Sequence, residues 1–250
     1  MRCVRQSCSS GCVTAPPLDA CEPRRLSGGV NLTPHAFEAA DAYLAETLVG
    51  HDDGLEHALA RQRDAALPDI EVSPLSGKLL HLLVRISGAR RVLEIGTLGA
   101  YSTIWMARAV GPDGHITTIE AEPHIAAIAQ ENLDRADVAE RVEIKIGRGA
   151  DVLPTLVDAE PYDFVFIDAD KESNTLYLDY AARLGRSGTV VIVDNIGREG
   201  EIVNADSTDS MVIGTRAALD MLGSDARFDA TAFQTVGLKG WDGTAIAVIV

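Results

Sequence analysis

From Arg91 onward, short and nearly continuous apolar runs alternate with longer stretches in which apolar residues recur at helical spacing. The apolar runs predict five strands, at residues 91–96, 115–120, 142–147, 163–168 and 188–195. Helical stretches lie between them, at roughly 101–110, 122–136, 149–157 and 171–185. Strands that are apolar at nearly every position are typical of a sheet covered by helices on both faces. The alternation predicts right-handed βαβ crossovers in a parallel sheet.

The C-terminal part of the chain departs from this parallel pattern. After a helix near 208–222, the segments 228–236 and 243–250 have strand character, and a short turn at 241–243 is predicted to join them. The expected result is an antiparallel hairpin at the sheet edge. The predicted fold class is therefore α/β, a doubly wound, mostly parallel, seven-stranded Rossmann-like sheet with an antiparallel edge hairpin.

Three helical stretches precede the first strand. They begin at Thr33-Pro34, near Leu55 and at Ser73-Pro74, where a serine before a proline is a strong start signal. These helices (31–88) are predicted to cover the site or to form a dimer contact, within one domain that spans 31–250. Residues 1–30 are rich in Ser, Gly, Pro and Arg without a sustained period, which predicts a disordered N-terminal tail. The alternative interpretation is sequence upstream of the true start.

Composition and charge narrow the classes of partner. The chain has 250 residues and a formal net charge of −15, without a clustered basic face, which disfavours nucleic acid or an anionic membrane as a partner. The four cysteines, Cys3, Cys8, Cys12 and Cys21, have a spacing that does not match a zinc site. No apolar run approaches the ~20 residues that span a bilayer, and no signal peptide is evident. The predicted location is cytoplasmic.

The turn after the first predicted strand indicates a nucleoside site. Gly96 and Gly99 allow the backbone to approach a ligand closely, and the following helix offers free N–H groups. Glu120 ends the second strand, where an acid can accept hydrogen bonds from both ribose hydroxyls. The structural alternative for Glu120 is an acid that complements a helix dipole. Glu94 is an acid within an apolar strand, and we expect it to bind something.

The same turn favours S-adenosylmethionine (SAM) over NAD. A dinucleotide fingerprint, G-x-G-x-x-G, places its glycines against a pyrophosphate. Here Thr97-Leu98 separates the two glycines and replaces the close-approach glycine. SAM has no phosphate and tolerates that change, and Glu94 could then engage its ammonium group.

Acidic residues end the next two strands. Asp168 ends the fourth and Asp194-Asn195 ends the fifth, so adjacent parallel strands place these side chains at one sheet edge. Two carboxylates and an amide oxygen suit Mg²⁺, with Ca²⁺ or Mn²⁺ as alternatives. The structural alternative is that Asp168 and Asp170 cap a helix while Asp194-Asn195 forms a turn. For Asp170 itself, a cap is the prediction.

Lys171 opens the helix that follows Asp168. A lysine there opposes the helix dipole, so local stability does not favour it. Its functional interpretation is a general base, or a cation that stabilises a developing phenolate. The alternative is a solvated surface lysine.

Four segments of the chain carry a family resemblance: RVLEIGTLGAYS, TTIEAEP, DFVFIDADK with Tyr177 and Tyr180 after it, and SGTVVIVDN. Over roughly residues 70–250 they resemble the cation-dependent class I O-methyltransferases, which include the catechol and caffeoyl-CoA O-methyltransferases. The resemblance implies that Asp168, Asp194 and Asn195 are metal ligands and that Lys171 is the catalytic lysine, acting beside Asp168.

The resemblance also implies a set of cofactor contacts. Residues at the methionine end of SAM would be Glu94, Gly96, Thr97 and Ser102, with Val72 beside them and Asp168 at the border with the metal. Glu120 matches the ribose-binding acid, and Ala150 stands where a backbone group meets the adenine. Relatives of this kind are often homodimers, which implies a homodimer here.

The chain departs from the family pattern at two places. Ala100 stands where relatives often have glycine. After Asn195, the segment 196–200 (Ile-Gly-Arg-Glu-Gly) replaces an apolar or aromatic stretch that ends in glycine. This segment is expected to border the acceptor site, so the acceptors of well-known members do not transfer to this chain.

The predicted function is a SAM-dependent and divalent-metal-dependent O-methyltransferase that methylates a hydroxyl of a catechol-like or other vicinal-diol phenolic small molecule. Three alternatives stay open at this point: a metal-independent SAM methyltransferase acting on another small molecule, an NAD-dependent oxidoreductase, and a SAM-binding protein without catalytic activity.

Overall fold

The computed structural model describes residues 35–250 of the chain. The predicted tail at 1–30 with its four cysteines, and the predicted helix start at Thr33-Pro34, lie outside the described residues.

Seven strands form one mixed sheet in the described region. Their order is β3-β2-β1-β4-β5-β7-β6, with β1 to β5 parallel and β7 antiparallel to both of its neighbours. The strands are β1 (Arg91–Ile95), β2 (His115–Glu120), β3 (Val142–Ile146), β4 (Phe164–Ile167), β5 (Val190–Asp194), β6 (Phe228–Gly237) and β7 (Gly240–Ile249). The predicted fold class is confirmed.

Eight α-helices accompany the sheet within residues 35–250. They are α1 (His35–Leu48), α2 (Asp53–Asp64), α3 (Pro74–Ser87), α4 (Tyr101–Val110), α5 (Pro123–Arg135), α6 (Gly149–Val152), α7 (Asn174–Leu184) and α8 (Ser210–Ser224). The predicted helix at 149–157 is one α-helical turn followed by a 3₁₀ segment, Leu153–Leu156, because Pro154 has no N–H to continue the α-helical pattern. The predicted helix at 171–185 begins as a 3₁₀ turn, Lys171–Ser173, ahead of α7.

The central strands send alternate side chains into two hydrophobic layers. In β4, Val165 and Ile167 pack on the side of α7 and α8, whereas Phe164 and Phe166 pack on the side of α3, α4 and α5. All four side chains are almost completely buried. Burial on both faces explains why these strands are apolar at nearly every position.

Of the helices before β1, α3 begins at a capped N-terminus, whereas α1 leaves apolar side chains exposed. Ser73 caps α3 by accepting a hydrogen bond from the backbone N–H of Ser76, as its sequence predicts. The apolar side of α1 is largely exposed, with Tyr43 at 67% and Leu48 at 62%. A homodimer contact at this surface stays a prediction.

No helix among residues 35–250 combines the length and the apolar character that crossing a bilayer requires.

The hairpin turn lies at a different place from the predicted 241–243. The β6–β7 register pairs Gly237 with Gly240, so the turn is Leu238-Lys239. Gly240, with a φ of 88°, supplies the left-handed conformation that ends the turn. The predicted turn was wrong because an Asp-Gly pair suggested a reversal. Asp242 and Gly243 instead lie in β7, where they approach the loop after β5: the N–H of Ile196 donates to the carbonyl of Gly243 at 3.0 Å.

Two glycine-to-alanine substitutions should change the free energy of unfolding in opposite directions and so test the packing around α3 and α8. In α3, a Cβ on Gly77 would lie 2.4 Å from the ring of Trp105, so Gly77→Ala should lower the free energy of unfolding by ~1–3 kcal/mol. In α8, Gly223 has open space around it, so Gly223→Ala should raise that free energy by ~0.5–1 kcal/mol. Urea denaturation measures both. Shifts of the same sign would contradict the contact between α3 and α4.

Candidate active site

Two cavities open at the carboxyl edge of the parallel strands, near the point where the strand order reverses between β1 and β4. The first cavity has a volume of about 730 Å³ and is lined mainly by the turns after β1, β2, β3 and β4. The second cavity, of about 550 Å³, lies between the β6–β7 hairpin and the start of α3. Residues 70–72, Asn195 and Arg198 line both cavities, which are therefore neighbours with a shared wall.

The turn after β1 depends on Gly96. A Cβ at this position would lie 2.2 Å from the carbonyl oxygen of Asp168, and its φ is 101°. Only glycine fits both constraints. Ala100, at the start of α4, has a φ of 63°, a conformation that is unfavourable for alanine and that glycine adopts without strain.

Glu120 holds the floor of the first cavity through backbone contacts. One carboxylate oxygen accepts the N–H of Leu98 at 2.9 Å, and the other accepts the N–H of Glu122 at 3.0 Å. The acid thus joins the turn after β1 to the entry of α5. It also lines the first cavity, so its structural role and a ligand role are compatible.

Glu94 lies beneath the first cavity instead of in its wall. Its side chain is fully buried, and its carboxylate accepts hydrogen bonds from the hydroxyls of Ser102 at 2.6 Å, Thr103 at 2.5 Å and Thr118 at 2.7 Å. Burial is the main cause that raises the pKa of Glu94 to about 7, and the hydroxyl groups oppose that rise. Ser102, which does line the cavity, is held in place by this acid.

Strand register brings the acidic residues together. Ile167 of β4 pairs with Val193 of β5, so Asp168 and Asp194, one residue further on, are neighbours at the sheet edge. Asp194 accepts a hydrogen bond from the Thr244 hydroxyl at 2.8 Å. Burial, together with the negative charge of Asp168, raises the pKa of Asp194 to about 6.

Lys171 and Asn195 complete this edge. The Lys171 ammonium donates to Oδ1 of Asp168 at 2.9 Å, and its side chain is only 7% exposed, so it is no solvated surface lysine. Asn195 has a φ of 57°, a left-handed conformation that asparagine tolerates better than most residues. Asp170 makes no side-chain cap; its carboxylate accepts a hydrogen bond from the Tyr177 hydroxyl, and the predicted cap was wrong.

The model of a protein family described as "O-methyltransferase" matches residues 50–238 of this chain. The chain belongs to the O-methyltransferase family. It is 52% identical to a catechol O-methyltransferase of Mycobacterium tuberculosis, over 84% of this chain and 94% of that protein. It is 44% identical to a catechol O-methyltransferase of Niastella koreensis, over 85% of this chain and 97% of that protein. A crystal structure of the Bacillus cereus O-methyltransferase in complex with SAH is similar, with a TM-score of 0.85 and 44% identity, covering 87% of this chain and 100% of that one.

Most of the predicted site residues of this O-methyltransferase line a cavity. The first cavity includes Val72, Gly96, Thr97, Ser102, Glu120, Asp168 and Lys171, the second includes Asp194, and Asn195 borders both. Glu94 and Ala150 line neither; Ala150 is exposed beside Gly149, which does line the first cavity.

Several residues at the site carry no motif and were missed. Gln62 of α2 and Glu71 before α3 line the first cavity and are joined by a hydrogen bond of 3.1 Å. They reach the site only through tertiary packing of the N-terminal helices. Thr118 had a readable signal, because it pairs with Glu94 in the register of adjacent strands.

Among residues 35–250, no three His, Cys, Asp or Glu side chains are arranged to hold a metal ion. The predicted ligand set does not require three such groups, since it consists of two carboxylates and the amide oxygen of Asn195.

The buried Glu94 should make the stability of the O-methyltransferase depend on pH. Its folded-state pKa of about 7 lies above the ordinary 4.5, so the folded state holds a proton that the unfolded chain releases between these values. Stability from this group is therefore present at low pH and is lost as pH rises through 7. Relative to wild type, the free energy of unfolding of Glu94→Gln should rise by roughly 1–3 kcal/mol between pH 5 and pH 8.

Denaturant unfolding of metal-free and cofactor-free protein at several pH values measures this difference. Comparison with wild type cancels the other groups that titrate in the same range. A wild-type-to-variant difference that is constant with pH would contradict the raised pKa.

Proposed function

We propose that this O-methyltransferase transfers the methyl group of SAM to a hydroxyl of a catechol-like or other vicinal-diol phenol, with a divalent cation held by Asp168, Asp194 and Asn195. The observation that carries the proposal is the meeting of two cavities at these strand ends. One cavity can hold a nucleoside and the other a small aromatic acceptor, with the acidic residues between them.

The first cavity suits SAM better than a dinucleotide. Its volume of about 730 Å³ is within the usual range for a small-molecule site. Five acids line it (Glu71, Glu120, Glu122, Asp168 and Asp170) against three basic residues (Arg148, Lys171 and Arg198). The excess of acids disfavours a pyrophosphate and favours the ammonium and sulfonium groups of SAM. The Bacillus cereus relative was solved with SAH, the product that SAM leaves after methyl transfer. These points disfavour the NAD-dependent alternative.

The acidic edge fits a hard divalent cation. Asp168 and Asp194 are neighbours whose charges repel each other, and the raised pKa of Asp194 reflects that repulsion together with burial. A cation between them would remove this penalty, and carboxylate and amide oxygens are the ligands that Mg²⁺, Ca²⁺ and Mn²⁺ prefer. Thr244 orients Asp194 from the neighbouring strand β7.

The second cavity is the place proposed for the acceptor. It borders Asp194 and Asn195 directly, so a phenol bound there can direct two vicinal oxygens toward them. The relatives from Mycobacterium tuberculosis and Niastella koreensis are named catechol O-methyltransferases, which supports a vicinal diol.

Methyl transfer requires a phenol oxygen to become nucleophilic. A free phenol has a pKa of ~10 and is a poor nucleophile at neutral pH. When bound, the divalent cation supplies Lewis-acid stabilisation of the oxyanion, and SAM supplies an electrophilic methyl group. The side chains that line the shared wall orient the acceptor relative to the first cavity, and alignment of this kind contributes much of the acceleration.

Lys171 is the residue proposed to take the acceptor proton. Its ammonium group donates to Asp168 at 2.9 Å, and because an ammonium has no lone pair it must first release a proton to solvent before the neutral amine can take one from the acceptor hydroxyl. A cation at Asp168 would replace the ammonium as the partner of that carboxylate. The ion pair thus couples the proposed metal site to proton transfer through one carboxylate.

Removal of the cation should abolish methyl transfer. We expect EDTA, Asp168→Asn and Asp194→Asn each to lower kcat/KM for a catechol by about 100-fold or more, since each removes charge stabilisation worth several kcal/mol. The control is Asp158→Asn, which changes an exposed acid that lines neither cavity. Calorimetric titration with Mn²⁺ should show binding to wild type and to the control and none to the two site variants.

Undiminished methyl transfer in EDTA would reject the cation and favour the metal-independent methyltransferase. SAM binding without turnover of any phenol in a broad panel would favour the non-catalytic alternative.

Two substitutions of Lys171 separate a base from a simple positive charge. Arg keeps the charge but does not lose its proton, so Lys171→Arg and Lys171→Met should both lower kcat by about 100-fold or more, with SAM affinity little changed. Lys145→Met, on the edge strand β3 and paired with Glu143, is the matched control. An Arg variant with near wild-type kcat would show that Lys171 acts by charge alone.

A further inference from the structure

Arg198 is a cation at the shared wall of the two cavities without a charged partner among the described residues. It lines both cavities, three residues after Asn195. Its buried Nε has no hydrogen-bond partner among those residues. Its guanidinium makes one polar contact, from Nη2 to the sulfur of Met211 at 3.6 Å, and a thioether sulfur is a weak acceptor. A buried guanidinium donor without an acceptor is unfavourable and calls for an explanation.

The backbone holds Arg198 firmly at this place. Oδ1 of Asp242 accepts the N–H of Gly197 at 2.8 Å and the N–H of Arg198 at 3.2 Å. The next three residues along the loop, Arg198, Glu199 and Gly200, have φ values of 49°, 54° and 89°. Left-handed conformations at consecutive non-glycine residues persist only where the surrounding structure enforces them. The backbone from which this side chain extends is therefore held in one conformation.

The other charges that line the second cavity already have partners. Lys239 pairs with Asp69 at 3.1 Å and with Glu71 at 2.8 Å. Asp41 accepts the backbone N–H of Leu238 at 3.0 Å. Asp242 is used by the loop, and Asp194 belongs to the proposed metal site. Arg198 is thus the charged group of this cavity that a ligand could engage without breaking an ion pair of the described residues.

We infer that Arg198 binds a carboxylate carried by the methyl acceptor, so that the acceptor class is an aromatic acid with a vicinal diol. The inference rests on the proposed function and narrows it. A planar guanidinium matches a carboxylate with two parallel hydrogen bonds. The flexible Met211 side chain can move aside to admit it. With the carboxylate at Arg198, the diol at the other end of the ring can reach toward Asn195 and Asp194.

The test compares three catechols that differ in charge: 3,4-dihydroxybenzoate, neutral 4-methylcatechol and the cationic 2-(3,4-dihydroxyphenyl)ethylamine. For each, kcat/KM is measured with wild type, Arg198→Gln, Arg198→Lys and the control Arg216→Gln. Arg216 lies in α8, donates to the carbonyl of Ile202 at 2.8 Å and lines neither cavity. Glutamine and arginine meet the same backbone constraint at a φ of 49°, so Arg198→Gln should fold as wild type does.

Arg198→Gln should lower kcat/KM for the carboxylate about 30-fold, chiefly through KM, because it removes a charge-assisted pair. The same variant should change kcat/KM for 4-methylcatechol by less than about 3-fold. It should raise kcat/KM for the amine relative to kcat/KM for 4-methylcatechol. Arg198→Lys should recover part of the loss, since it keeps the charge without the bidentate geometry. Comparing variant with wild type on one substrate cancels the intrinsic reactivity of each phenol.

Equal losses on all three catechols, or none on the carboxylate, would overturn the role of Arg198 and leave the proposed function standing. A wild type that methylates none of the three with SAM and Mg²⁺ would overturn the proposed function and this inference with it. Calorimetry with 3,4-dihydroxybenzoate in the presence of SAH measures acceptor binding alone, because SAH has no methyl group to transfer. Arg198→Gln should weaken this binding.

Discussion

The contact between Gly96 and the carbonyl oxygen of Asp168 sets the geometry on which the site depends. A Cβ at residue 96 would lie 2.2 Å from that oxygen, so the ends of β1 and β4 are too close for any side chain at this position. The N–H of Asp168 also donates to the carbonyl of Ile95 at 2.9 Å, which carries the parallel pairing to the last residue. The side chain of Asp168 is thereby fixed between the first cavity and its neighbour Asp194. A larger residue at position 96 would push the ends of β1 and β4 apart. It would thereby also displace Asp168 from Asp194.

A buried acid beneath this contact gives the site a rigid floor. Glu94 precedes Gly96 by two residues and draws three hydroxyl groups toward itself, from α4 and from β2. Burial raises the pKa of this carboxylate, and the three neutral hydroxyl donors oppose that rise only in part. The network fixes the start of α4 against the sheet, so Ser102 and the N–H groups of that helix are presented to the first cavity. A residue can shape a site in this way without touching the ligand.

The sequence was informative wherever local pattern decides the structure. Apolar runs located every parallel strand, because burial on both faces leaves few polar positions, and strand ends then located Asp168 and Asp194. The pattern failed where tertiary contacts decide. Asp242 looked like a turn residue, yet its carboxylate holds the loop after β5, which no local pattern could show. Gln62 and Glu71 likewise reach the first cavity only because α2 and α3 fold over the sheet edge.

Acids line both cavities at the sheet edge, so the cavities differ mainly in which charged groups are left for a ligand. The first cavity has acids at Glu120, Glu122 and Asp170, which favour the cationic groups of SAM. At the shared wall, Lys171 is already paired with Asp168, whereas Arg198 is held by its backbone and leaves its guanidinium for a ligand. Under the proposed function, Arg198 gives an anionic acceptor a local partner in the second cavity, where Lys239 is already held by Asp69 and Glu71. Specificity for an anionic acceptor would then come from one guanidinium, unpaired among the described residues, and its geometry, because the overall charge of the lining is acidic in both cavities.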